Sequence, residues 1–316
     1  MKQEKVAIVV IAYNEERYIE GCLKAILNQT FSDFHLIVVD DGSTDMTRNI
    51  IGQIKDPRLT YVKLKKRNGY ATARNYGLKL IKEGIVFFTD ADCRPCHDWI
   101  EKGLIVFKEK DPIAVGGLTQ YKSKNNNPSI QSFLSIKQFT KPNFTTSNAA
   151  FRAEWLHRIG GFRQRYNDGW EDADVEIRVQ AASGKKIAFT NEMVIVHLKK
   201  EYTIQRLFLK FKGIKQRVYY IKDHHVFLER YASHGLQPNI EFMNQIFIKT
   251  RFFWIMDPFC LLIIFCPPLL YFLLKKNNIR IANIKDFAYL PFVYGYMVVL
   301  RIAIWKAACQ ERFFVL

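Results

Sequence analysis

The chain has 316 residues, 49% of them hydrophobic and 24% charged, a balance that excludes a disordered polymer and fits one large α/β domain with an appendage, or two modest domains. Lys and Arg outnumber Asp and Glu by 47 to 30, and the formal net charge of +17 implies an anionic partner: nucleic acid, an anionic membrane surface or a phosphate-rich substrate. The 6 cysteines are scattered, which suits a reducing compartment, and the apolar run Val6–Ala12 is too short and too soon followed by charge to be a signal peptide.

Val6–Ala12 is continuous and β-branched, as expected of a strand buried on both faces of a parallel sheet. A helix is expected over Glu15–Gln29, with Ile19, Leu23 and Ile26 on one face, then a strand over Phe34–Val39 closed by Asp40-Asp41-Gly42-Ser43. Ser43 or Thr44 is placed to cap a helix over Thr47–Lys55. A third strand, Leu59–Lys63, a helix, Ala71–Lys82, and a fourth strand, Ile85–Thr89, complete the alternation. Such a pattern predicts a doubly wound, Rossmann-like sheet, mostly parallel and flanked by helices, with ligands at the carboxyl ends of its strands. Those ends carry Tyr13-Asn14-Glu15, Asp40-Asp41 and Asp90-Ala91-Asp92.

No Gly-x-Gly-x-x-Gly follows the first strand and no Gly-x-x-x-x-Gly-Lys-[Ser/Thr] occurs, which disfavours dinucleotide and P-loop sites. A pyrophosphate held without a glycine cradle calls for a divalent cation on carboxylates, Mg2+ or Mn2+. The stretch FTDADCRPCHDW, Phe88–Trp99, also contains the Cys-x-x-Cys-His spacing of haem attachment, and a zinc site is conceivable there. No export signal and no second cysteine pair support either, so the cysteines are expected to be incidental.

Six segments in order then carry a resemblance: VVIAYNEERYIEGCLKAILNQT, LIVVDDGSTDMT, NGYATARNYGLK, VFFTDADC, TSNAAFRAEWLHRIGGF and GWEDADVEIRVQAASGKK. From residue 6 to about residue 200 the chain resembles the family 2 glycosyltransferases, nucleotide-sugar enzymes of the GT-A fold. The resemblance implies inversion at the transferred sugar and a catalytic domain over residues 1–200. It implies a nucleotide site from Tyr13, Glu15, Asp41, Arg74 and Asp90, with Asp40 ranked below Asp41 as a turn residue. A surface arginine is the plain alternative for Arg74. Asp90 and Asp92, flanking Ala91, match the family's D-x-D motif, and Asp92 with His197 would hold the cation. Asp172, of the Glu171-Asp172 pair opening a helix at Ala173–Ala182, would be the base, kept ionised by the helix dipole. Trp170 and Glu171 would line the acceptor, and Thr146, Ser147 and Asn148 would touch donor sugar or acceptor.

Residues 201–250 form a basic amphipathic segment and residues 251–316 a hydrophobic one. Between 199 and 222, eight Lys/Arg interleave with Leu207, Phe211, Ile214, Val218 and Ile221, spaced as one helix face suited to an anionic leaflet. Pro258–Leu274 and Phe287–Leu300 are uncharged runs of 17 and 14 residues, short of the roughly 20 needed to span. Basic residues in their connector oppose a plain hairpin, so re-entrant or interfacial helices at the cytoplasmic face are expected, with a two-span anchor as the alternative. That tail points to a lipid-linked or glycan acceptor. A nucleic-acid binder and an inactive membrane scaffold are the alternatives. No nucleic-acid module is recognisable, so no nucleic-acid partner is expected.

Overall fold

β1 (Val6–Ala12) is apolar throughout and all seven positions are buried, as a strand covered on both faces requires. In the computed structural model, the residues described are 4–122 and 144–198, with isolated helical positions between 215 and 224 and between 302 and 310. After β1 come α1 (Ile19–Leu27), β2 (His35–Asp40), α2 (Thr47–Gln53), β3 (Leu59–Lys63), α3 (Tyr70–Leu78) and β4 (Ile85–Asp90). The second half holds β5 (Cys93–Pro95), α4 (Trp99–Lys110), β6 (Ala114–Lys122), β7 (Ala149–Arg152), α5 (Ala153–Arg158), α6 (Glu171–Ser183) and β8 (Ala188–Leu198). These elements lie in the first of two compact units, residues 1–124 with 138–201.

Among the described residues the strands form one eight-stranded sheet in the order β3-β2-β1-β4-β7-β6-β8-β5. β1 runs parallel to β2 and β4, and β2 parallel to β3. β7 then runs antiparallel between β4 and β6, β8 pairs parallel to β6, and β5 pairs antiparallel to β8. The parallel alternation predicted from sequence is therefore the first half of a mixed sheet.

Because side chains alternate along a strand, β1 divides its residues between two cores. Val6, Ile8, Val10 and Ala12 pack with α1 and Trp99, while Ala7, Val9 and Ile11 pack with Ala71, Leu78, Leu156 and Val175. α1 buries Ile19, Cys22, Leu23 and Ile26, the i, i+3, i+4, i+7 stripe of a helix lying on a sheet. α3 approaches more closely. A Cβ built on Gly77 would lie 2.5 Å from Val9 Cγ1, so glycine is needed there for the helix to reach the sheet. Gly77→Ala is expected to destabilise the fold by about 1–3 kcal/mol through overpacking, measured by chemical denaturation.

Two local expectations change. α1 starts at Ile19 rather than Glu15, because residues 14–16 are bonded to the next loop: Asn14 N–H donates to Ser43 Oγ at 3.0 Å and Glu15 N–H to Thr47 Oγ1 at 2.7 Å. For the same reason neither Ser43 nor Thr44 caps α2; Asp45 Oδ1 accepts from Thr47 N–H at 3.0 Å instead. The expected basic segment and the two uncharged runs fall outside the described residues, apart from isolated positions. Among the described residues no helix is long and apolar enough to cross a membrane.

Candidate active site

The register Ala12↔Asp40 and Ile11↔Asp90 aligns the carboxyl ends of β1, β2 and β4 at the point where strand order reverses, the usual place for a ligand in such sheets. Tyr13 leaves β1 half-buried, with the Arg67 guanidinium 4.6 Å from its ring centroid. Arg67 does not stand out in the sequence. Its only signal is a basic residue in the loop that ends β3. Glu15 lies at the entry to α1, where its carbonyl accepts from Ile19 N–H at 2.9 Å.

The two aspartates closing β2 do different work. Asp40 is fully buried, accepting from Ser43 N–H at 2.8 Å, Arg48 Nε at 2.9 Å and Tyr61 OH at 3.1 Å, which makes it a turn anchor. Asp41 takes Asn68 N–H and Gly69 N–H, each at 2.7 Å, one on each carboxylate oxygen. It therefore fixes the loop that leads into α3. Gly69 makes that turn at φ +95°, where a Cβ would strike Asn167 at 2.5 Å. Asn167 in turn holds the first turn of α3, its Oδ1 accepting from Thr72 N–H at 2.8 Å and its carbonyl from Tyr70 N–H at 2.9 Å.

Arg74, one turn before Gly77, is 3% exposed, so it is no surface arginine. Its Nη1 donates to Glu171 Oε1 at 2.6 Å and its Nη2 to Asp90 Oδ1 at 2.9 Å. Burial works against its charge, but Asp90 and Glu171 more than offset it and raise its pKa. The D-x-D motif and the Glu-Asp pair, 81 residues apart in sequence from Asp90 to Glu171, are thus joined through one guanidinium.

Asp92 is drawn to a different partner. His197 Nε2 lies 3.8 Å from Asp92 Oδ1, and His197 sits within β8. The Cys93 sulfur joins them: one donor atom from each of Asp92, Cys93 and His197 lies within 4.8 Å of the others. Cys93, expected to be incidental, is placed by the sheet beside this pair. Carboxylate, thiol and imidazole are all donors to a divalent cation, so the residues fit one. Without a cation, burial, and then Asp90 and Asp92, push the Cys93 thiol well above its ordinary pKa.

α6 opens at Glu171 rather than at Ala173, so both acidic residues lie in its first turn. Trp170, at its N-cap, has φ +71°, a left-handed conformation that is strained for a bulky residue and often found at functional positions. Glu171 is buried, and Asp172 Oδ1 accepts from Ala173 N–H at 2.8 Å. The helix dipole, expected to keep Asp172 ionised, is opposed by burial. Burial is the larger influence and raises the pKa of both Glu171 and Asp172. Glu176, one turn on, is pushed up to about 8 by burial and by Asp172. Asp174 is fully buried and pairs with Arg178 at 3.0 Å and Arg163 at 3.2 Å, anchoring the helix start.

In the polar run before β7, the fold takes up Asn148. Asn148 is fully buried, its Oδ1 accepting from Trp99 Nε1 at 2.8 Å and its Nδ2 donating to Leu118 O and Met193 O, each at 3.0 Å. It ties α4, β6 and β8 together and offers nothing to a sugar. Thr146 is 2% exposed, and Ser147, 7% exposed, has its Oγ 3.0 Å from Thr145 Oγ1.

Carboxylates at three strand ends around the switch point, on a sheet whose second half turns mixed, define a GT-A-like fold. The chain belongs to glycosyl transferase family 2, whose family model matches residues 7–170. Among curated relatives, glycosyltransferase AglE of Haloferax volcanii is 27% identical over 205 residues, 61% of this chain and 66% of that protein. The UDP-Glc:alpha-D-GlcNAc-diphosphoundecaprenol beta-1,3-glucosyltransferase WfaP of Escherichia coli is 39% identical over 89 residues, 28% of this chain and 36% of that one. The chain therefore spans under two thirds of the length of these relatives. Among solved structures, the mannosyltransferase PcManGT of Pyrobaculum calidifontis, in complex with GDP-Man and Mn2+, shares the fold with TM-score 0.63 at 19% identity, over 98% of this chain and 87% of its own.

Proposed function

We propose that the chain is an inverting glycosyltransferase. It moves a sugar from a nucleotide diphosphate sugar, with UDP as the working nucleotide, to a hydroxyl or phosphate of a lipid-linked or glycan acceptor at the cytoplasmic face of the membrane. The observation that carries this reading is the buried Asp90–Arg74–Glu171 bridge, which holds the donor-side aspartate against the helix that bears the base. Relatives named for UDP-Glc with a diphosphoundecaprenol-linked acceptor, and for GDP-Man with Mn2+, support the donor and acceptor classes.

In this reading Tyr13 offers an aromatic face to the base, with Arg67 behind it, and Asp41 keeps the loop into α3 in place beside it. Asp172 accepts the proton of the acceptor hydroxyl as that oxygen attacks the anomeric carbon on the side opposite the leaving diphosphate. Trp170 walls the acceptor side and Glu171 fixes the helix start through Arg74. Asp92 and His197 would hold Mg2+ or Mn2+, which when bound neutralises the charge of the departing diphosphate.

A thermal-shift screen of UDP- and GDP-sugars with and without Mn2+ tests the donor site. A true donor at 100 times its Kd should stabilise the protein by about 2.7 kcal/mol, and only with the cation present. Asp92→Asn should abolish the metal-dependent part. Salt-sensitive retention on DNA with no stabilisation by any nucleotide sugar would overturn the reading.

A further inference from the structure

Cys93 and His197 are directly opposed in the antiparallel ladder between β5 and β8. Directly opposed residues project to the same face of a sheet with their Cβ atoms close together. The register therefore delivers a sulfur to the imidazole, and the turn before β5 delivers the Asp92 carboxylate to both. Cys93 Sγ is 4.0 Å from Asp92 Oδ1, and His197 Nε2 is 3.8 Å from that same oxygen. A tetrahedral cation bonded at about 2.3 Å to sulfur and about 2.0–2.1 Å to nitrogen and oxygen separates O from S by about 3.6 Å and N from O by about 3.4 Å. The two pairs that share Asp92 Oδ1 each need to close by about 0.4 Å, and the sulfur and the imidazole nitrogen lie within 4.8 Å of each other, within reach of side-chain rotation. Cys93 is also fully buried, and packs with Trp99, Met193 and Ile195 on the apolar side of the cluster.

We propose that Cys93 is a third protein ligand of the cation held by Asp92 and His197, and that its thiolate gives the site a preference for zinc and cobalt over magnesium. The inference rests on the assignment of Asp92 and His197 as metal ligands. On binding, the S–H bond breaks, the sulfur donates its electron pair to the cation, and the proton passes to solvent. A sulfur donor favours zinc, whereas magnesium prefers an all-oxygen octahedron. With three protein ligands, a four-coordinate cation would keep a position open for an oxygen of the substrate.

Titration of the full-length chain with Co2+, in a phosphine rather than a thiol reductant, reads the sulfur bond directly. A cobalt–thiolate bond adds a near-ultraviolet charge-transfer band that oxygen and nitrogen ligands do not give. The band is expected in the wild type and in a variant with every other cysteine replaced by alanine, and is expected to vanish in Cys93→Ser. The zinc-over-magnesium preference should fall in that variant by about tenfold or more. Visible cobalt bands with no near-ultraviolet band, or a band that survives Cys93→Ser, would overturn the sulfur ligand and leave the Asp92–His197 assignment standing. Cobalt binding untouched by Asp92→Asn combined with His197→Gln would instead overturn that assignment. Should Cys93→Ser fail to fold, 113Cd resonance on the wild type decides: a shift in the thiolate range supports the ligand, and one in the oxygen–nitrogen range rejects it.

Discussion

Asp172→Asn should lower sugar transfer by about 10²–10⁴-fold, the range for losing a positioned proton acceptor, while nucleotide-sugar binding is kept. The asparagine retains the Oδ1 that accepts from Ala173 N–H, so the helix start is preserved. Burial raises the Asp172 pKa, so the wild-type rate should fall with decreasing pH through a value above the ordinary carboxylate range. The same shift has a stability consequence. A carboxyl with a raised folded pKa binds more protons folded than unfolded, so its contribution is full at low pH and is lost as pH rises through the folded value. The Asp172→Asn side chain does not ionise and escapes that loss, so the variant should be as thermally stable as the parent or more so above neutrality. Isothermal donor binding, initial rates across pH and a melting curve at two pH values check all three parts. Undiminished transfer would remove Asp172 from the role of base.

Arg74→Met should cost about 3–5 kcal/mol in folding free energy, because it leaves buried carboxylate with no counter-charge. Glu171 has 8% side-chain exposure and Asp90 29%, so the larger share of that cost belongs to Glu171. The loss should be greatest at high pH, where Glu171 is ionised, and should shrink as pH falls and Glu171 takes up a proton. Arg74→Lys keeps the charge but not the two-pronged geometry that reaches both partners, so it should recover part of the stability and little of the transfer. Denaturation at pH 5 and pH 8 with both variants separates charge from geometry. Equal losses for Met and Lys, independent of pH, would mean that Arg74 acts by packing alone.

The parallel half of the sheet is legible in the amino-acid sequence. β1, β2, β3 and β4 announce themselves as short continuous runs rich in β-branched residues, and Leu59–Lys63 matches to the residue. Their polar endings are visible for the same reason, since charge directly after a buried run has few places to go. The mixed half is harder to read. β5 has only three residues, and its pairing with β8 joins positions 100 to 104 apart, which no local period encodes. Polarity misleads most at Asn148, because the residues that consume its amide, Trp99, Leu118 and Met193, come from three other elements. The Asp172 environment misleads in a similar way. The helix N-terminus can be read locally, whereas the burial that outweighs it is a property of the assembled fold.

α3 is held at its start by Asp41 and Asn167 and near its end by the fit of Gly77 on Val9, with Arg74 between. For anyone building chimeras, that arrangement decides where to cut. A graft bringing in a new acceptor-side segment should join after Glu171, so that the recipient keeps Asn167 and Glu171 with its own α3. A junction placed where β7 runs into α5, tempting because it follows a strand, would split this interlocked set between two parents.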